Sequence, residues 1–167
     1  ALTEKGKQQA IETRQMVNEI NPDVIFVSPL TRAIQTALLA RDSQRKKVPI
    51  RALAIAREFL SAACDIGKPR TELEKEFPSV EFDPLLVPEI WWHTRDDQDG
   101  RDSRKTFLEV GLFEPIEKCE MRIQQFINFL KSRQERTILI VGHGDFSFSL
   151  LDGKVMKNCE ISEIHLS

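Results

Sequence analysis

The sequence predicts an α/β sandwich with a largely parallel central sheet, and three observations carry that reading. Val24-Ile25-Phe26-Val27 and Thr137-Ile138-Leu139-Ile140-Val141 are short, nearly continuous apolar runs without polar alternation, the pattern of strands buried on both faces. Segments of helical period bracket both runs. Each run also opens at its C-terminal end onto a polar turn, as strands of alternating β and α units do.

Taken in order, residues 3–20 form a helix with Ala10, Met16, Val17 and Ile20 as its apolar stripe, Thr3 as N-cap and Asn21-Pro22 as the stop. After the strand Val24–Val27, Ser28-Pro29-Leu30-Thr31 turns the chain into a second helix that runs through Arg41, with Ala33, Ile34, Ala37 and Leu38 inside. Arg41–Lys47 carries five charges in seven residues and reads as a solvated turn. Val48–Leu53 is a further strand. From about 61 to 112 the period is lost: prolines stand at 69, 78, 84 and 88, Thr94–Lys105 is polar, and Trp91 and Trp92 are adjacent. This stretch reads as an irregular insertion over one end of the domain, at the pocket mouth, with one short helix near Thr71–Phe77. In an extended segment the two tryptophans point opposite ways, one packed and one toward the pocket mouth or solvent; the alternative is that both rings cover core. Glu114–Arg133 is a strong helix with Ile116, Cys119, Ile123, Phe126, Ile127 and Leu130 on one side. It feeds the fully buried strand Thr137–Val141, then a short helix and a final strand near Ile161–Leu166. Residues 1–167 form a single domain.

Composition sets the class. With 41% hydrophobic and 30% charged residues, 7 Gly and 8 Pro, the chain is globular and neither collagen-like nor disordered. Lys+Arg 24 against Asp+Glu 26 leaves a net charge of -2, so there is no basic field for nucleic acid. An anionic substrate would be met by a few local cations. Three scattered cysteines (Cys64, Cys119, Cys159) favour free thiols and a reducing, cytoplasmic setting. No apolar run approaches the roughly 20 residues of a membrane span, and no secretory signal pattern opens the sequence. The three histidines show no ligand spacing, so neither a metal nor another cofactor is expected.

Three polar clusters follow strands, where open α/β sheets bind ligands. Ser28-Pro29-Leu30-Thr31-Arg32 offers helix-start N–H groups and a guanidinium suited to phosphate or carboxylate; otherwise Arg32 is a surface ion-pair partner. Gly142-His143-Gly144-Asp145 places a histidine between glycines that permit close backbone approach. There an imidazole serves as nucleophile, acid–base group or phosphate ligand, or it is simply a satisfied structural histidine. Arg57-Glu58-Phe59-Leu60 sets a carboxyl among apolar neighbours, where a raised pKa suits a general acid; Glu beside Arg is otherwise a surface pair. His93 and His165 read as loop and terminal-strand residues. Together Arg32, Glu58 and His143 suit a phosphorylated molecule.

Four motifs resemble one family. Leu2-Thr3-Glu4-Lys5-Gly6-Lys7-Gln8-Gln9-Ala10 is similar to the L-T-x-x-G-x-x-Q-A helix of the histidine phosphatase (phosphoglycerate mutase-like) superfamily. Ser28–Ala37 is similar to its S-P-L-x-R-A-x-x-T-A segment and Val141–Gly144 to its second-histidine motif. Arg57-Glu58-Phe59-Leu60, with Cys64-Asp65 and Phe77-Pro78, resembles the general-acid segment of a branch found in eukaryotes. The resemblance implies a three-layer α/β/α sandwich and metal-free phosphoryl transfer through a phosphohistidine. It gives Arg32 the phosphoryl oxygens, His143 and the Gly144 N–H the transferring group, and Glu58 the leaving-group proton. The family's nucleophile lies in an R-H-G motif upstream of the L-T-x-x-G helix, a motif absent between residues 1 and 167. It is expected upstream of residue 1, and a protein that began at residue 1 would be inactive. The expected function is hydrolysis of a small phosphorylated metabolite. The alternatives are a non-catalytic phosphate-binding or scaffold domain, and a phosphoglycerate-type mutase. The segment around Glu58 lacks the E-R-x-Y-G pattern that the mutase reading requires.

Overall fold

The computed structural model describes residues 1–41, 48–95, 100 and 102–166. Its centre is a parallel sheet of β1 (Val24–Val27), β2 (Ile50–Ala52) and β3 (Ile138–Val141) in the order β2-β1-β3. Ile25 pairs with Ile50 and Leu139, and Val27 with Ala52 and Val141. The three strands therefore end level with one another.

The alternation of β1 builds both cores. Ile25 and Val27 pack on α3 (Thr31–Arg41) through Leu30, Ala33, Ile34 and Ala37. Val24 and Phe26 face the other way, onto Phe126 and Leu130 of α6 (Ile116–Lys131) and Phe146 of α7 (Gly144–Leu150). Helices thus cover both faces of the sheet, the three-layer sandwich the sequence predicts. Rings of Phe26 and Phe129, and of Phe126 and Phe146, meet edge to face at 5.1 Å, an arrangement worth about 0.5–1.5 kcal/mol beyond burial.

The first predicted helix is two. Thr3 caps α1 (Glu4–Glu12) through the N–H of Gly6, and α2 (Arg14–Ile20) ends at Asn21, which adopts a left-handed φ of 47°. Between them the buried Thr13 turns its hydroxyl back to the Ala10 carbonyl at 2.7 Å, a local bond that competes with the helical ladder.

Other elements depart from expectation. The strand expected over Val48–Leu53 is regular only at Ile50–Ala52. β3 is half-buried along its whole length rather than fully buried; among the described residues it is an edge strand, so one side of its apolar run has no neighbour. The chain from Ile161 to Leu166 is irregular instead of a strand. After α7, Asp152, Gly153 and Cys159 all take positive φ and turn the chain repeatedly, which prevents it from running extended beside the sheet.

The 61–112 stretch is less peripheral than the lost period suggests. It holds α4 (Arg70–Glu76), as expected, and α5 (Ser103–Val110), which was not. The buried residues of α5 are Ser103 and Thr106, hydroxyl side chains that leave no apolar stripe to read. Trp91 and Trp92 are both buried, with rings crossed at 5.6 Å. Their indole N–H groups donate to the Lys68 carbonyl and the Ser103 hydroxyl. Both rings therefore cover core, together with Leu73, Phe77, Val80 and Val87. Within the charged turn 41–47, all but Arg41 lie outside the described residues, as do 96–99 and 101 of the polar stretch.

Candidate active site

The level strand ends bring three turns to one place. Beyond β1 stands Ser28, beyond β3 stand Gly142 and His143, and beyond β2 the chain makes a tight turn at Ala54–Ala56 and reaches Arg57 and Glu58. Backbone bonds lock the turns to the sheet: Ser28 N–H donates to the Val141 carbonyl and Leu53 N–H to the Val27 carbonyl. Arg32, Glu58, His143 and Gly144 all line one cavity of about 590 Å³. The sequence reading of these residues as one cluster is what the structure places there.

His143 sits with Nε2 2.7 Å from the Ser28 hydroxyl. Burial, then the charges of Arg32 and Arg122, push its pKa down to about 3. The imidazole is therefore neutral at neutral pH, able to donate at one ring nitrogen and accept at the other. A dianionic phosphate beside it would act in the opposite sense to the two arginines and draw a proton onto the ring.

Arg32, on the first turn of α3, is fixed by the 61–65 loop. Its terminal nitrogens donate to the Cys64 carbonyl and to Asp65 Oδ1, each at 2.8 Å. Asp65 is buried, and its second oxygen accepts from the N–H groups of Ser61 and Ala62. Two of five guanidinium N–H groups are used in this way, which holds the fork rigid and leaves capacity for phosphoryl oxygens. Arg32 is neither a loose surface cation nor aimed by α3 alone.

Glu58 accepts from three backbone N–H groups: Phe59 at 3.0 Å, Asp145 at 3.2 Å and Phe146 at 2.9 Å. Such bonds favour the ionised carboxylate, yet burial outweighs them and the pKa lies above the usual carboxylate value. A carboxyl with a raised pKa beside such a cavity can deliver a proton and take one back.

The glycines beside His143 are not demanded by the protein's own packing. A Cβ at Gly142 would meet nothing nearer than 3.9 Å, and one at Gly144 nothing within 4 Å. Gly144 lines the cavity, and the missing side chain leaves room for close approach by a ligand. None of the described residues from 61 to 112 lines the cavity, so the mouth expected of the insertion is not formed by them; the Asp65 loop meets the site through Arg32. His93 lies in a separate hollow near Phe113, and His165 is an exposed terminal residue near Glu163. Among the described residues no cluster of His, Cys, Asp or Glu could hold a metal ion. No helix there is long and apolar enough to cross a membrane. All three cysteines are unpaired thiols.

The strand ends thus gather a serine-bonded histidine, a clamped arginine and a half-buried glutamate. The histidine phosphatase superfamily (branch 1) profile matches residues 1–161. The chain belongs to that superfamily. It is 27% identical over 162 residues to the 2,3-bisphosphoglycerate-dependent phosphoglycerate mutase of Mycobacterium tuberculosis, covering 86% of this chain and 62% of that protein. A 50-residue segment is 54% identical to 2,3-bisphosphoglycerate-dependent phosphoglycerate mutase 1 of Arabidopsis thaliana, 29% of this chain and 15% of that one. The alpha-ribazole phosphatase of Shigella flexneri shares the fold at a TM-score of 0.53 and 20% identity, over 88% of this chain and 63% of that one. The chain therefore spans less than two thirds of the length of these histidine phosphatase relatives.

Two participants escaped the sequence reading. Asp65 enters the sequence reading only as part of a motif, and nothing local marks it as the carboxylate that pins Arg32. Arg122 stands inside the apolar stripe of α6, three residues after Cys119 and four before Phe126. A charge at a core position of a helix was the available signal.

Proposed function

We infer that this protein hydrolyses small phosphate monoesters through a phosphohistidine, with the nucleophilic imidazole supplied by chain N-terminal to Ala1. The observation that carries this is the convergence of Arg32, Glu58, His143 and Gly144 on one cavity at the carboxyl ends of a parallel sheet. The cavity runs along β3, between α1 residues such as Gly6 and Gln9 and the segment 156–161. Among the described residues β3 has a free edge there, a template for one more strand. A strand seated on that edge would end level with Ser28 and His143.

In this reading Arg32 and the Gly144 N–H hold the phosphoryl oxygens, and His143 shares their charge. The incoming imidazole nitrogen bonds to phosphorus as the ester P–O bond breaks, and Glu58 gives its proton to the departing oxygen, releasing an alcohol. The Glu58 carboxylate then takes a proton from water as the water oxygen bonds to phosphorus and the P–N bond breaks, which restores imidazole and releases phosphate. Positioning and charge stabilisation supply most of what such a transfer needs.

The test is phosphate release by the full-length protein from a panel of alkyl and aryl phosphates, with rapid quenching to trap an acid-labile phosphoenzyme. Release that vanishes in His143→Ala while the fold persists supports the reading. Binding of inorganic phosphate without hydrolysis of any ester would replace it with a phosphate-binding role. Exchange of phosphate between positions of a phosphoglycerate, without net release, would make the protein a mutase, the activity named for its mycobacterial relative.

A further inference from the structure

The buried arginine of α6 makes a set of polar contacts that the proposed chemistry leaves unused. Arg122 is 4% exposed. Its Nη1 donates to the carbonyls of Ile55 at 3.2 Å and Arg57 at 2.7 Å, and its Nη2 to the Glu58 carbonyl at 3.5 Å. Nε and Nη2 also bind both oxygens of Glu114, at 3.1 and 2.7 Å. One side chain thus fastens three of the four carbonyls from 55 to 58 to the rigid helix α6.

The same guanidinium lies over two rings, 4.9 Å from the centre of Phe59 and 5.5 Å from that of Phe146. These two residues supply the N–H groups that hold Glu58 Oε1. Arg122 does not line the cavity. It grips the backbone from which the Glu58 side chain springs and, separately, the residues whose amides seat its carboxylate.

We propose that Arg122 is the positioning residue for Glu58, setting the proton donor against the leaving oxygen from behind without touching substrate. This rests on the reading of Glu58 as general acid. An arginine suits the task because its planar fork reaches several carbonyls and a carboxylate at once, whereas a lysine offers a single point of attachment. A displacement near 1 Å of a catalytic group can cost about 10²-fold in rate. A well-placed general acid contributes about 10²–10⁴-fold.

The experiment compares Arg122→Lys, Glu58→Gln and the double variant in the full-length protein, on an alkyl phosphate and on a nitrophenyl phosphate whose leaving group needs no proton. Glu58→Gln alone first checks the general-acid role: it slows the alkyl ester and spares the aryl one, and an unchanged ratio would overturn that role and this proposal together. With the role established, Arg122→Lys is expected to lower kcat on the alkyl ester by about 10²-fold with KM and the aryl rate little changed. It should cause no further loss on the alkyl ester when added to Glu58→Gln. Equal losses on both esters, or losses that multiply in the double variant, would reduce Arg122 to a packing role and overturn the proposal. Amide hydrogen exchange gives a readout independent of turnover: Ala56–Phe59 should exchange faster in Arg122→Lys while β1 and β3 do not. Unchanged exchange at Ala56–Phe59 would refute the tether. If Arg122→Lys fails to fold, Phe59→Leu removes only the ring beneath the guanidinium and is read by the same alkyl-to-aryl ratio.

Discussion

Glu114 bridges the guanidinium groups of Arg57 and Arg122, and neutralising it should destabilise the protein far more than a surface change. Its side chain is 2% exposed, against 14% for Arg57 and 5% for Arg122. It accepts from Arg57 at 2.6 Å and from Arg122 at 2.7 and 3.1 Å. Glu114→Gln keeps the volume and removes the charge, which leaves two cations together without a counter-ion. Arg57 already shows the strain of this arrangement: burial, then the charge of Arg122, pulls its pKa down to about 10 despite Glu114. Its Nε is buried with no hydrogen-bond partner among the described residues. Breaking a buried ion pair by removing one member costs about 3–5 kcal/mol. For a domain of this size 1 kcal/mol moves Tm by about 2–4 °C, so the expected drop is about 6–20 °C. Urea unfolding at neutral pH should show a lower midpoint with an unchanged slope. Removing one of the two cations should recover part of the loss, because contacting residues couple by about 0.5–3 kcal/mol. Arg57→Met added to Glu114→Gln is that variant. A loss below about 1 kcal/mol for Glu114→Gln would show that water reaches these charges and would refute the reasoning.

Three further outcomes are expected. Arg32→Ala should lower kcat/KM for a phosphate ester by about 10²–10³-fold, the loss of one preorganised donor at developing charge, about 2.7–4 kcal/mol; steady-state kinetics of the full-length protein checks it, and a loss confined to KM would mean ground-state binding alone. The ring protons of His143 should show no titration between pH 5 and 8 in the phosphate-free protein, and added phosphate should bring a midpoint into view by NMR. Because its folded pKa of about 3 lies below the unfolded value near 6.5, the unfolded chain binds the extra proton between those limits. Its contribution to stability is then whole above about pH 6.5 and falls as pH drops, by up to about 1.4 kcal/mol per pH unit. Gly67→Ala should destabilise by about 1–3 kcal/mol through overpacking, because its Cβ would stand 2.1 Å from the Trp91 ring; tryptophan emission and the urea midpoint report it.

Much of the molecule could be read from residues in sequence order. The two apolar runs announced strands with helices on both faces, because a residue pattern with no polar face can be satisfied only by cover on both sides. The turns after the three strands announced one polar cluster, because Arg32, Glu58 and His143 each follow a strand and parallel strands end on one edge. Thr3 capped α1 and Asn21 ended α2, since caps depend on residues only a few positions away. The tertiary structure alone decided the rest. That both tryptophans are buried depended on Ser103 and Lys68 offering partners to their N–H groups. That β3 is half-open depended on its place at the sheet's edge. The clamp of Asp65 on Arg32 joins residues 33 apart, and the grip of Arg122 on the Glu58 segment joins residues 64 to 67 apart. Local pattern records which face of an element is apolar. It carries no record of which distant carbonyl a buried guanidinium will meet, because that pairing is fixed only when desolvation forces every buried charge to find its partner.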